Sequence, residues 1–193
     1  MNKLFVLFLF ATLIFSCGDK AEKQKEADPA ANTKDSAGTY LPIAGLLNED
    51  MRRVDSFASG ILYKSSIGNK KDSAFIQFPQ FKELAAQFFL KDLDSTRFND
   101  QFSETSLMDE STRQLNFIYT AKDSTSTLRQ VITYVSPSLA TDNIDRIYME
   151  TMSNQGDTLV EKRFTWKFRK YFYVITRKQP ATGEPVTSME KLI

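Results

Sequence analysis

Apolar positions set out the elements of the chain in order. Ile43, Leu47, Met51 and Val54 recur at helical spacing behind Pro42, which predicts a first helix. A second helix is expected from Pro79, burying Phe81, Leu84, Ala85 and Phe88 and stopping at the polar run Asp92-Leu93-Asp94-Ser95. From about Phe102 the period changes to two, with Leu115, Phe117 and Tyr119 alternating against Gln114, Asn116 and Thr120. Strands are expected from Leu128 to Val135, Ile144 to Met152, Leu159 to Phe168 and Tyr171 to Arg177. Asn154-Gln155-Gly156-Asp157 is a turn signal and predicts an antiparallel hairpin. Leu62-Tyr63 and Phe75-Ile76 suggest a short strand pair near the first helix, and Val186 to Ile193 a late edge strand. No period of 20 to 50 residues recurs, which excludes a solenoid. Helices first and strands afterward give an α+β expectation: two helices packed on one face of a curved antiparallel sheet of about five to six strands.

Several of these strands are apolar on both faces. Val131 and Val135 oppose Ile132 and Tyr134, and Phe172 and Val174 oppose Tyr171, Tyr173 and Ile175. An antiparallel sheet with one wet face should alternate cleanly, and two helices cover only one face. The second face therefore either closes on its own side chains or offers an aromatic groove to an apolar ligand or a partner protein.

The N-terminal fifth reads differently. Lys3 precedes an apolar run from Leu4 to Ser16 that spans about 20 Å as a helix, short of the ~30 Å hydrocarbon core of a bilayer. Residues 1–16 therefore read as an export signal peptide. The run ends at Ile14-Phe15-Ser16-Cys17, with Gly18 following. A small residue before a lone cysteine at this place resembles the lipobox of bacterial lipoproteins, and the Ser-Cys-Gly-Asp-Lys junction resembles lipoproteins of Bacteroidota. That resemblance covers about the first 18 residues; Phe15 departs from the commoner small or aliphatic residue there. It implies cleavage before Cys17, a thioether-linked diacylglycerol on its sulfur and an acylated new N-terminus. Gly18 to Thr39 contains no Val, Ile, Leu, Met or aromatic residue, so residues 17–39 read as a lipidated, flexible tether with a reach of roughly 25 Å. Residues 40–193 form a single domain. Acids and lysines are interleaved after Cys17, a poor match to an acidic surface-export signal. This favours an outer-membrane anchor facing the periplasm and leaves surface display open.

Composition narrows the chemistry. Of 193 residues, 25 are Lys or Arg against 24 Asp or Glu, there is no His, and Cys17 is the one cysteine. Near-zero net charge argues against a nucleic-acid binder. The missing histidine removes Ser-His-Asp chemistry and most metal sites, and no phosphate-cradling Gly-rich loop occurs. Ser188 and Lys191 match Ser-x-x-Lys without supporting context. Asp142, Asn143 and Asp145 offer oxygens that a calcium ion could use, but a turn explains them. Seven Lys or Arg lie between Lys162 and Lys178 without an acid. Among them Arg163, Lys167 and Arg169 fall at alternate positions opposite Phe164, Trp166 and Phe168 and form a candidate anion-binding stripe.

The expectation is thus an envelope lipoprotein anchored through Cys17, with no catalytic residues, metal or cofactor. Its domain would bind an envelope protein; the alternatives are a carrier of an apolar or anionic small ligand on the second sheet face and, remotely, a hydrolase using paired carboxylates.

Overall fold

The computed structural model describes residues 41–57, 60–93, 95–136 and 144–193. The signal peptide, Cys17 and the tether lie outside the described residues, as do Asp142 and Asn143. The elements run α1 (Ile43–Phe57), β1 (Ile61–Ile67), β2 (Lys70–Ile76), α2 (Phe78–Ala86), a single 3-10 turn (Lys91–Leu93), α3 (Ser95–Gln101), then seven strands: β3 (Phe102–Asp109), β4 (Gln114–Ala121), β5 (Leu128–Val135), β6 (Ile144–Gln155), β7 (Thr158–Lys167), β8 (Tyr171–Pro180) and β9 (Val186–Leu192). The result is a mostly-β α+β fold: a nine-stranded, fully antiparallel open sheet with three short helices, in the order β2-β1-β9-β8-β7-β6-β5-β4-β3.

The expected five to six strands become nine because the suggested pair β1–β2 and the late strand β9 join the same sheet and β3, which carries no apolar period, is added at its end. β2 is exposed at every position but its last, and β3 from its second to its seventh. Backbone pairing, not side-chain burial, makes them strands. The late edge strand is corrected as well. β9 pairs with β8 on one side and β1 on the other, so the edges are β2 and β3. α3 carries one apolar side chain buried in the core, Phe98, too few to set a period.

Local chemistry accounts for the elements that were legible. α2 starts where expected: Pro79 sits in its first turn, and Gln77 and Gln80 form a reciprocal capping box, with the Gln77 N–H donating to Gln80 Oε1 at 3.0 Å. It ends at Ala86, sooner than the polar run suggested. The β6–β7 hairpin turns at Gly156, whose φ of 60° lies in the left-handed region that a Cβ disfavours.

One face of the sheet forms the core. The register aligns Ile147, Trp166, Phe172 and Leu192 in one row and Met149, Phe164 and Val174 in the next. Helix side chains meet these rows. Phe81 lies 5.4 Å from Phe172, and Phe98 stacks on Phe102 at 4.5 Å and meets Tyr119 edge-on at 5.1 Å. Just past α2, Phe88 sits among Phe164, Trp166 and Phe172.

Candidate functional site

Between α1, α2 and the β7–β8 turn lies a cavity of about 490 Å³, within the ~300–1,000 Å³ range of small-molecule sites. Its apolar wall comes from Ile61, Phe81, Trp166, Phe172 and Leu192, which arrive from five different elements. α1 supplies Asp50, Arg53 and Val54, and the turn supplies Arg169 and Lys170.

Asp50 organises this site. It occupies the apolar side of α1, one turn after Leu47, and only 5% of it is exposed. A buried carboxylate is costly unless hydrogen-bonded, and Asp50 is. The Trp166 indole N–H donates to its Oδ2 at 2.8 Å, and the Arg169 backbone N–H donates to the same oxygen at 3.3 Å. The acid therefore ties α1 to the core tryptophan and to the β7–β8 turn. Arg169 holds φ at 59°, a left-handed conformation that costs a non-glycine residue about 1–2 kcal/mol. The bond to Asp50 helps hold it there.

Charge around the cavity is unequal. Arg53 is committed to Glu49 at 2.6 Å on the same helix. That hydrogen bond, and then the charge of the guanidinium, hold the Glu49 carboxyl below its ordinary range. Lys167 is paired with Asp145, which also accepts from Gln114 Nε2 at 3.3 Å. Arg169 and Lys170 are exposed, and neither forms an ion pair among the described residues.

The expected basic stripe is divided by these placements. Arg163 and Lys167 lie on the sheet face opposite Phe164 and Trp166, which are buried. Arg163 faces Glu150 at 3.5 Å and Glu161 at 2.5 Å, and the Glu161 hydrogen bond raises the guanidinium's already high pKa. Arg169 belongs to the turn and lines the cavity. Arg163 and Lys167 are neutralised, and Lys167 and Arg169 both line the cavity.

On the second face, opposite the rows that meet the helix side chains, the side chains cover one another. Ile118, Ile132, Tyr134, Tyr148, Tyr173 and Ile175 are all half-buried. The Arg146 guanidinium lies 3.9 Å from the Tyr134 ring centre, and Lys191 Nζ lies 4.5 Å from that of Tyr171, which stacks on Tyr173 at 6.1 Å. Burial raises the Tyr148 phenol above its usual value, with Glu150 adding to the shift.

The remaining motifs do not assemble. Ser188 and Lys191, three apart on β9, project to opposite faces and cannot exchange a proton. Glu150 and Glu161, carboxylates brought near each other, share Arg163 on an open face. No group of three His, Cys, Asp or Glu side chains that could hold a metal occurs among the described residues. No described helix is long and apolar enough to cross a membrane. Comparison with protein-family models, with curated proteins and with solved structures finds no match in any of the three.

Proposed function

We propose that this protein is a lipid-anchored, non-catalytic binding domain of the bacterial cell envelope that takes a small apolar ligand into the cavity under α1. The cavity carries this reading. It is lined by aromatic and aliphatic side chains from five elements, and the acid within it is already engaged by Trp166 and Arg169. Each ligand methylene buried there contributes about 0.8 kcal/mol. The sheet is read as curving around its helices, which leaves this opening at the end where the β7–β8 turn meets α1. The ligand site thus falls on the helix-bearing face rather than the second face. A protein partner remains the second reading, favoured by the second face with its four tyrosines at 134, 148, 171 and 173.

The test is retention of ligand by the full chain. Purified from a bacterial envelope and extracted with organic solvent, the protein is expected to release one apolar compound per chain. Val54→Phe, which extends a ring into the cavity from α1, is expected to release little or none. Equal amounts from both proteins, or none from either, argue against the cavity as a ligand site and favour the partner reading.

The anchor rests on the lipobox resemblance and places the cavity within tether reach of a bilayer. Cys17→Ala is expected to abolish metabolic labelling with a fatty acid and to leave the signal uncleaved. Labelling that persists in this variant removes the anchor from the proposal. Outer-membrane attachment facing the periplasm is the location proposed for it.

A further inference from the structure

We infer that the ligand of the α1 cavity is a free single-chain amphiphile with an anionic head, a carboxylate or a phosphate, held at the mouth by Arg169 and Lys170. The inference rests on the binding-domain reading and deepens it. Four cations line the cavity, and two of them are already matched: Arg53 by Glu49, and Lys167 by Asp145. Arg169 and Lys170 form no ion pair among the described residues, and the charge of Arg169 reaches Glu49 only as a minor contribution beside Arg53. Arg169 and Lys170 are exposed neighbours on one turn, and both line the cavity whose wall includes Trp166, Phe172 and Leu192. An anionic head at the mouth would meet these two cations while its chain lay on the aromatic wall.

The acid in the cavity does not contradict this polarity. Asp50 is buried, and its Oδ2 already accepts from the wall of the site, so it serves the scaffold. A cationic head would have to pass Arg169 and Lys170 to reach it. The turn supplies a second argument. At φ 59° a glycine would be the less strained choice for position 169. Asp50 needs only the backbone N–H there, which glycine would also provide. The arginine side chain therefore adds strain that neither the turn nor the Asp50 bond requires, and anion binding at the mouth accounts for it.

Trp166 is the only tryptophan of the chain and lines the cavity, so its fluorescence reports occupancy directly. The full chain in zwitterionic vesicles is titrated with decanoate, decyl phosphate, decanol and decyltrimethylammonium. Decanoate and decyl phosphate are expected to bind about tenfold more tightly than decanol, and decyltrimethylammonium more weakly still. The double variant Arg169→Gln, Lys170→Gln keeps the backbone N–H for Asp50 and should bring the anionic probes level with decanol. Arg169→Lys with Lys170 intact should keep the preference. Equal binding of decanoate and decanol by the native chain, or an anionic preference that survives in the double variant, overturns the inference and leaves the binding domain standing. No response to any probe overturns both.

Discussion

Phe88→Ala is expected to lower the unfolding free energy by about 3–5 kcal/mol, the range for deleting a fully buried aromatic ring. Phe88 is 0% exposed, and three other rings surround it. It lies 5.3 Å from Phe164, 5.1 Å from Trp166 and 5.0 Å from Phe172, each in edge-to-face geometry. Alanine removes those contacts at once and leaves a void between the sheet and the end of α2, where the backbone is fixed by the Phe88 N–H to Ala85 bond. For a domain of this size the loss corresponds to a fall in melting temperature of roughly 10 °C. Phe75→Ala is the matched comparison. Phe75 is 80% exposed on the edge strand β2, and its removal should change stability by no more than about 0.5 kcal/mol. Urea unfolding of both variants checks the pair. A Phe88→Ala loss below about 1 kcal/mol would mean that this ring cluster is not the centre of the core.

The contrast between these two phenylalanines shows what sequence patterning can and cannot carry. Phe88 follows Phe81, Leu84 and Ala85 at helical spacing, and the pattern placed it inside. Phe75 sits in a run that looks equally apolar, Ala74-Phe75-Ile76, yet its ring is in solvent. Burial there depends on what lies across the sheet, and nothing in seven residues encodes that. The interior strands β5 to β8 were legible because apolar residues stand on both of their faces, buried on one and half-buried on the other. β3 was not, because an edge strand needs only backbone partners. β9 was recognised as a strand but not as an interior one. Its place between β8 and β1 is fixed by pairs such as Tyr63 with Leu192, 129 residues apart in numbering.

The site was less legible than the fold, for the same reason. Its wall is assembled from α1, β1, α2, β7, β8 and β9, and no local motif spans them. Two signals were nevertheless present. Asp50 lies on the stripe made by Leu47, Met51 and Val54, and an acid on an apolar helical face needs a buried donor. Arg169-Lys170 forms the centre of a hairpin turn that contains no Gly, Asn or Asp, the residues that tight turns favour. Each is an exception to a local rule, and the structure joins the two through one oxygen of Asp50.

Asp50→Ala is expected to cost about 1–3 kcal/mol, the penalty for leaving a buried donor without an acceptor. The Trp166 indole N–H points from the core to Oδ2, and Asp50 is the acceptor the structure gives it. Removing the carboxylate also removes its own cost of burial, which keeps the loss below that of Phe88→Ala. Asp50→Asn separates the two terms. Its amide oxygen can accept the indole proton, so the hydrogen bond survives while the charge is lost, and the cost should fall to about 1 kcal/mol or less. The β7–β8 turn supplies an independent readout. In Asp50→Ala the Arg169 amide loses its acceptor, and nothing then offsets the strain of its left-handed backbone. Hydrogen exchange at Arg169 and Lys170 should accelerate in Asp50→Ala and stay near native rates in Asp50→Asn. If both variants are equally destabilised, Asp50 acts through its charge rather than through the two N–H bonds. If exchange in the turn is unchanged in Asp50→Ala, the acid is not what holds Arg169 at the cavity mouth.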